Sequence, residues 1–116
     1  MRLQIPLILS TLLLLLVFPS CNQDTVNPAN CDGVTLTYNA DIAPIIQSNC
    51  ATSGCHSASS HNGTFETYAQ LYPYLENGTI RYYVIDQKYM PPFPHKLNTT
   101  DLQSIQCWLD NGYPEK

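Results

Sequence analysis

Five cysteines in a chain of 116 residues set the first limits on what it can fold into. They stand at Cys21, Cys31, Cys50, Cys55 and Cys107. Exported chains of this size use their cysteines as staples or ligands, and an odd number means that one is used differently from the rest. Cys50 and Cys55 lie close together in Cys50-Ala51-Thr52-Ser53-Gly54-Cys55-His56, whereas Cys31 and Cys107 stand alone near the two ends. The simplest partition is one anchor (Cys21), one local pair and one long-range disulfide.

The start of the chain explains Cys21. Arg2 supplies a positive charge, and residues 7–18 are an apolar run with five consecutive leucines at 12–16. The run is shorter than the roughly 20 apolar residues of a membrane span, so residues 1–20 read as a secretory signal peptide. Val17-Phe18-Pro19-Ser20-Cys21 resembles a bacterial lipobox, with a small residue before an obligatory cysteine. On that reading Cys21 is lipidated, and the protein is exported to the cell envelope and anchored to a bacterial membrane. Cleavage nearby, leaving Cys21 a spare thiol, is the alternative. Residues 21–30 are polar and read as a tether, and residues 31–116 as one small domain. Such a domain has a thin core and needs a metal, cofactor or disulfide to hold it. Five Lys and Arg against nine Asp and Glu give a net charge of −4, which argues against nucleic acid as a partner.

Asn98-Thr99-Thr100-Asp101 has helix-starting chemistry and Asn111-Gly112 helix-stopping chemistry. Between them Leu102, Ile105 and Leu109 share a face, Trp108 flanks it, and Cys107 projects to the opposite side. A covering segment carrying Cys31 would allow a Cys31–Cys107 disulfide; two unpaired thiols are the alternative.

The cysteine-histidine heptad admits three chemistries. Two thiols and a following histidine suit covalent haem, with His56 as axial ligand. The four residues between Cys50 and Cys55 exceed the usual two, so Thr52, Ser53 and Gly54 would have to bulge. A zinc site would need a fourth ligand, for which His61 and His95 are candidates. A Cys50–Cys55 disulfide is the third. Before the heptad, residues 41–49 read as a short helix with Asp41 as N-cap, Pro44 in its first turn and Ile42, Ile45 and Ile46 on one edge. Residues 65–76 read as a second helix, starting at Gly63 or Thr64 and prone to break near Tyr72 before Pro73. Residues 80–86 fit either helix or extended chain. Met90-Pro91-Pro92 then opens a proline-stiffened loop, and a thioether opposite a histidine is a known haem ligation pair. Met90 is therefore the candidate sixth ligand, with His95 or an open position as alternatives.

This order of motifs resembles class I cytochrome c, and more closely the lipoprotein cytochrome c-like domains of bacteria. Residues 40–46 (Ala-Asp-Ile-Ala-Pro-Ile-Ile), Met90-Pro91-Pro92, Leu97, Asp101-Leu102, Ile105, Trp108, Gly112 and Pro114 carry the resemblance, which spans about residues 31–114. It implies a mostly helical fold around one haem c. Cys50 and Cys55 would form the thioethers, His56 and Met90 would ligate the iron, and some of the eight tyrosines would line the pocket. The expected function is a membrane-tethered electron carrier serving a redox partner protein, rather than an enzyme. The alternatives are a haem enzyme or gas or peroxide sensor with an open sixth position, and a cofactor-free, disulfide-stapled glycoprotein using the sequons at Asn62, Asn77 and Asn98.

Overall fold

The computed structural model describes residues 30–116. The expected signal peptide, most of the expected tether and Cys21 lie outside the described residues. The domain is mostly helical, with no strand among the described residues. No helix among them is long and apolar enough to cross a membrane.

The first helical stretch opens as a π-helical segment, Tyr38–Ile42, and continues as α1, Ala43–Asn49. It begins earlier than Asp41. Thr37 is the N-cap, its side chain accepting from the Ala40 amide, while Asp41 Oδ2 accepts from the Thr37 amide at 2.9 Å. Asp41 thus reaches back across the first turn as the acidic partner of a reciprocal cap, which a sequence scan mistakes for the cap itself. Pro44 lies within the first turn of α1, where its missing N–H is tolerated.

α2 runs Tyr68–Glu76, later than the expected start. Thr67 caps it in a complete capping box with Gln70. Pro73 sits inside without ending the helix. Leu71 and Leu75, both buried, pin the chain on either side of the proline, so packing outweighs the hydrogen bond it removes. The undecided segment is a second π-helical element, Arg81–Asp86, with Val84 buried. α3 is Thr99–Asp110, capped by Asn98, whose Oδ1 accepts from the Asp101 amide at 2.8 Å.

α3 is held from three directions. Ile105, Trp108 and Leu109 enter the core with Ile42, Ile46, Leu71 and Leu75. Trp108 is fully buried, and its indole N–H donates to the Pro114 carbonyl at 3.0 Å. The same carbonyl accepts from the Tyr38 amide at 2.9 Å, and the Glu115 carbonyl accepts from Asn39 at 3.1 Å. The chain's end therefore satisfies the free amides at the start of the first helical stretch. On its far side Cys107 is disulfide-bonded to Cys31, with the Cα atoms 5.2 Å apart. Cys107 does point away from the apolar stripe, yet it is buried because the incoming segment covers it. Asn111 Nδ2 donates to the Val34 carbonyl at 2.7 Å, a second tie between that segment and the end of α3. The Arg81–Asp110 ion pair is solvent-exposed and contributes about 0–1 kcal/mol.

Two outcomes are expected. Non-reducing peptide mapping yields a Cys31–Cys107 cross-link, and replacing both residues with serine lowers the urea midpoint. The 76-residue separation sets the loss at about 4.5 kcal/mol in the chain-entropy account. Tyr38 is buried, its hydroxyl has no hydrogen-bond partner, and burial raises its pKa. Tyr38→Phe removes that unpaired group and so leaves thermal stability unchanged or raises it, by up to about 1 kcal/mol. A loss of stability would show that the hydroxyl is paired in solution.

Candidate functional site

Cys50 is the C-cap of α1, and its amide donates to the Ile46 carbonyl at 2.8 Å. The Ala51 amide donates to the same oxygen at 2.8 Å. Cys55 closes a turn by donating to Thr52 at 3.0 Å, and the His56 amide returns to the Cys50 carbonyl at 3.1 Å. The residues between the cysteines thus form a lobe, with Ser53 and Gly54 exposed. Gly54 has φ +81° with open space where a side chain would start. The lobe is tied at its base by the Cys50–His56 hydrogen bond; Ala51, Thr52 and Ser53 lie outside the cavity lining and Gly54 reaches its edge.

Residues 56–65 form a closed loop. The Phe65 amide donates to the His56 carbonyl at 2.9 Å, Thr64 Oγ1 donates to the Ser57 carbonyl at 3.4 Å, and Ser60 Oγ donates to the Cys55 carbonyl. The His56 ring is 3.1 Å, through Nδ1, from the Gly63 carbonyl oxygen. A carbonyl can only accept, so Nδ1 carries the proton. In the neutral ring Nε2 then keeps its lone pair. The opposite end of the loop is tight: a Cβ on Gly63, at φ +91°, would lie 2.3 Å from the Tyr74 hydroxyl oxygen.

These elements surround a cavity of about 400 Å³, within the usual range for small-molecule and cofactor sites. Ile46, Phe65, Ile80, Val84, Ile105 and Pro91 form much of its apolar wall, and Cys50, Cys55, His56 and Met90 all line it. The four residues singled out from the sequence are thus brought to one site. Met90 is 43% exposed, and its amide and that of Tyr89 donate to the Tyr83 carbonyl at 3.1 and 2.9 Å.

Other candidates fall elsewhere. His61 and His95 are exposed and do not line the cavity. Among the described residues no three or more His, Cys, Asp or Glu side chains converge to hold a metal ion, which leaves the zinc reading without a ligand set. Cys50 and Cys55 are free thiols rather than a disulfide. Of the tyrosines, Tyr74 and Tyr83 line the cavity. Tyr38, Tyr68, Tyr72 and Tyr113 instead stack around Trp108 or one another. Phe65, which stacks on His56, was not visible as a site residue from spacing. It reads as part of a helix and is placed only by the closed loop.

The chain matches no family model, no curated protein and no solved structure.

Burial, and then the neighbouring Cys55, push the Cys50 thiol up from 9.0 to about 11. In the folded chain with both thiols unmodified, Cys50 at pH 8 therefore carries roughly a hundredfold less thiolate than an ordinary cysteine. Alkylation by iodoacetamide is expected to be slow by about that factor and to recover in urea. The same shift stabilises the fold below pH 9, and this contribution is lost as the pH rises from about 9 to about 11. Equal rates in folded and unfolded chains would show that Cys50 is not buried.

Proposed function

We propose that the protein is a membrane-tethered electron carrier holding one haem c in the cavity, in a small cytochrome c-like domain. The observation that carries this reading is the convergence of Cys50, Cys55, His56 and Met90 on one apolar cavity, with Nδ1 of His56 committed to the Gly63 carbonyl. That hydrogen bond is what a metal-ligating histidine ordinarily has: its second nitrogen donates to a fixed acceptor, which sets the tautomer and makes the ligating nitrogen more basic. The donor set also fits: Cys50 and Cys55 would form the thioethers, and His56 and Met90 would be the residues that hold the iron.

Haem, when bound, supplies the one-electron redox chemistry. The chain does the rest. Cys50, at the end of α1, and Cys55 would fasten the group, and His56 and Met90 would hold the iron. Ile46, Ile105, Phe65 and Val84 keep water from the site. The hydrogen bonds from Tyr89 and Met90 to Tyr83 hold the thioether loop by its backbone. Lipidation at Cys21 and the tether would keep the domain at a membrane, where a redox partner protein exchanges electrons with it.

One observation favours a second reading. Met90 is 43% exposed on a surface loop, so a small ligand could reach the sixth position if the sulfur is displaced, as in a haem sensor or peroxidase. The glycoprotein reading has less support at Asn98, where Nδ2, the atom that would carry a sugar, donates to Asp101 Oδ2 at 2.8 Å while Oδ1 caps α3.

The chain expressed with a cytochrome c maturation system in an oxidising compartment is expected to keep its haem through denaturation and acid-acetone extraction. Cys50→Ala together with Cys55→Ala releases it. Met90→Ala lowers the reduction potential, abolishes a sulfur-to-iron charge-transfer band and creates carbon monoxide binding; His95→Ala changes none of these. A colourless protein under maturation conditions would sink the haem assignment. A high-spin parent that binds carbon monoxide would select the sensor or enzyme reading.

A further inference from the structure

The His56 ring has two neighbours that fix different degrees of freedom. The Gly63 carbonyl holds Nδ1 at one edge. The Phe65 ring lies against one face, with centroids 3.9 Å apart and planes 7° from parallel. A single hydrogen bond leaves a ring free to rock about the donor–acceptor line; a parallel ring against its face removes that freedom. Phe65 is itself buried at 6% exposure, and its amide is bonded to the His56 carbonyl, so its own position is locked to the residue it touches. Tyr74 closes the set from α2. Its ring meets Phe65 edge-on at 5.0 Å, and its hydroxyl overlies Gly63 so closely that any side chain there would have to displace it.

We propose that Phe65, backed by Tyr74, is a positioning residue that sets the plane of the His56 imidazole, so that Nδ1 stays on the Gly63 carbonyl and Nε2 remains the nitrogen available to the cavity. The functional value of this arrangement rests on the reading of His56 as an iron ligand; the arrangement itself does not. Phe65 acts on the ligand's angle, and Tyr74 acts on it by holding both Phe65 and the loop that carries the acceptor. Other hydrophobic residues at position 65 could fill the core. Only a flat ring fixes the imidazole plane.

The test is nuclear magnetic resonance of the mature chain as purified, with ring-labelled histidine and ascorbate present, which keeps any bound iron reduced without cleaving the disulfide. The His56 Nδ1–H proton is expected to be resolved and slow to exchange in the parent. Phe65→Leu accelerates its exchange roughly tenfold, the scale of one weakened neutral hydrogen bond, while Phe65→Tyr, which keeps the ring, restores the parent rate. Tyr74→Leu moves it in the same direction by less, and carries the test by itself if Phe65→Leu does not fold. The Trp108 indole N–H, bonded to Pro114, is the internal reference for a purely structural effect and is expected to be unchanged. Three results overturn the proposal: a His56 proton on Nε2 in a parent without haem, equal Nδ1–H rates in parent and variants, or acceleration of Trp108 together with His56. If the protein proves to carry no haem but the exchange pattern holds, the haem assignment fails and the positioning role stands.

Discussion

Two donors meet on the carbonyl oxygen of Pro114: the indole N–H of Trp108 and the backbone N–H of Tyr38. That shared acceptor joins the last helix, the first helical stretch and the chain's end, and the rest of the domain is arranged around it. Trp108 can be fully buried only because its one polar atom is satisfied there. Consecutive residues of α3 then face different ways, about 100° apart. Cys107 takes the covering N-terminal segment, Trp108 takes the tail, and Ile105, two residues before Cys107, reaches the cavity. A domain this small cannot surround a helix with other helices. It uses a disulfide and a hydrogen-bonded tail instead, and this leaves one flank of α3 for the site.

The same economy governs the cysteine-histidine segment. α1 ends at Cys50, so the first thiol is placed by helix geometry, and the His56 amide bonded to the Cys50 carbonyl places the histidine by a single short link. That link spans residues 51–54, although Cys55, which also lines the cavity, is placed by its own bond to Thr52 within the lobe. The lobe can therefore carry four residues, since neither Cys50 nor His56 depends on the path of residues 51–54 for its position. Gly54, at φ +81° and in open space, is where the lobe turns back.

The helical class, α3 with its cap and stop, and the Cys50-Cys55-His56 cluster were legible in the sequence because they rest on local signals: apolar spacing, Asn98 as a cap, and a compact motif. Met90 was named from its proline loop and the family resemblance, with His95 as the competitor, and only the folded chain puts it in the same cavity. The helix starts were less so. Asp41 and Thr37 both have capping chemistry, and which one caps depends on the tail that meets the Tyr38 and Asn39 amides, a contact between opposite ends of the chain. Pro73 suggested a break that Leu71 and Leu75 prevent through burial. Residues 80–86 were ambiguous because a π-helical register has no simple apolar period to read. The roles of Phe65 and Gly63 are invisible in one dimension: they arise when loop 56–65 closes on itself and α2 covers it.

The cavity wall and the core share residues. Ile46, Phe65, Ile80, Val84 and Ile105 are each at most 7% exposed, and each also lines the cavity. The site opens to the surface beside Met90 and Tyr83, which are 43% and 42% exposed, and its apolar wall offers water few partners. A group fastened covalently in such a site stays with the chain when it unfolds, so it adds to stability only through the contacts it makes with the folded wall. The Trp108 clasp and the disulfide tie α3 to the chain's end and to the N-terminal segment independently of those contacts. So short a chain can carry an apolar site of this size because the helix beside it, α3, is held by a covalent bond and a shared carbonyl rather than by a thick core.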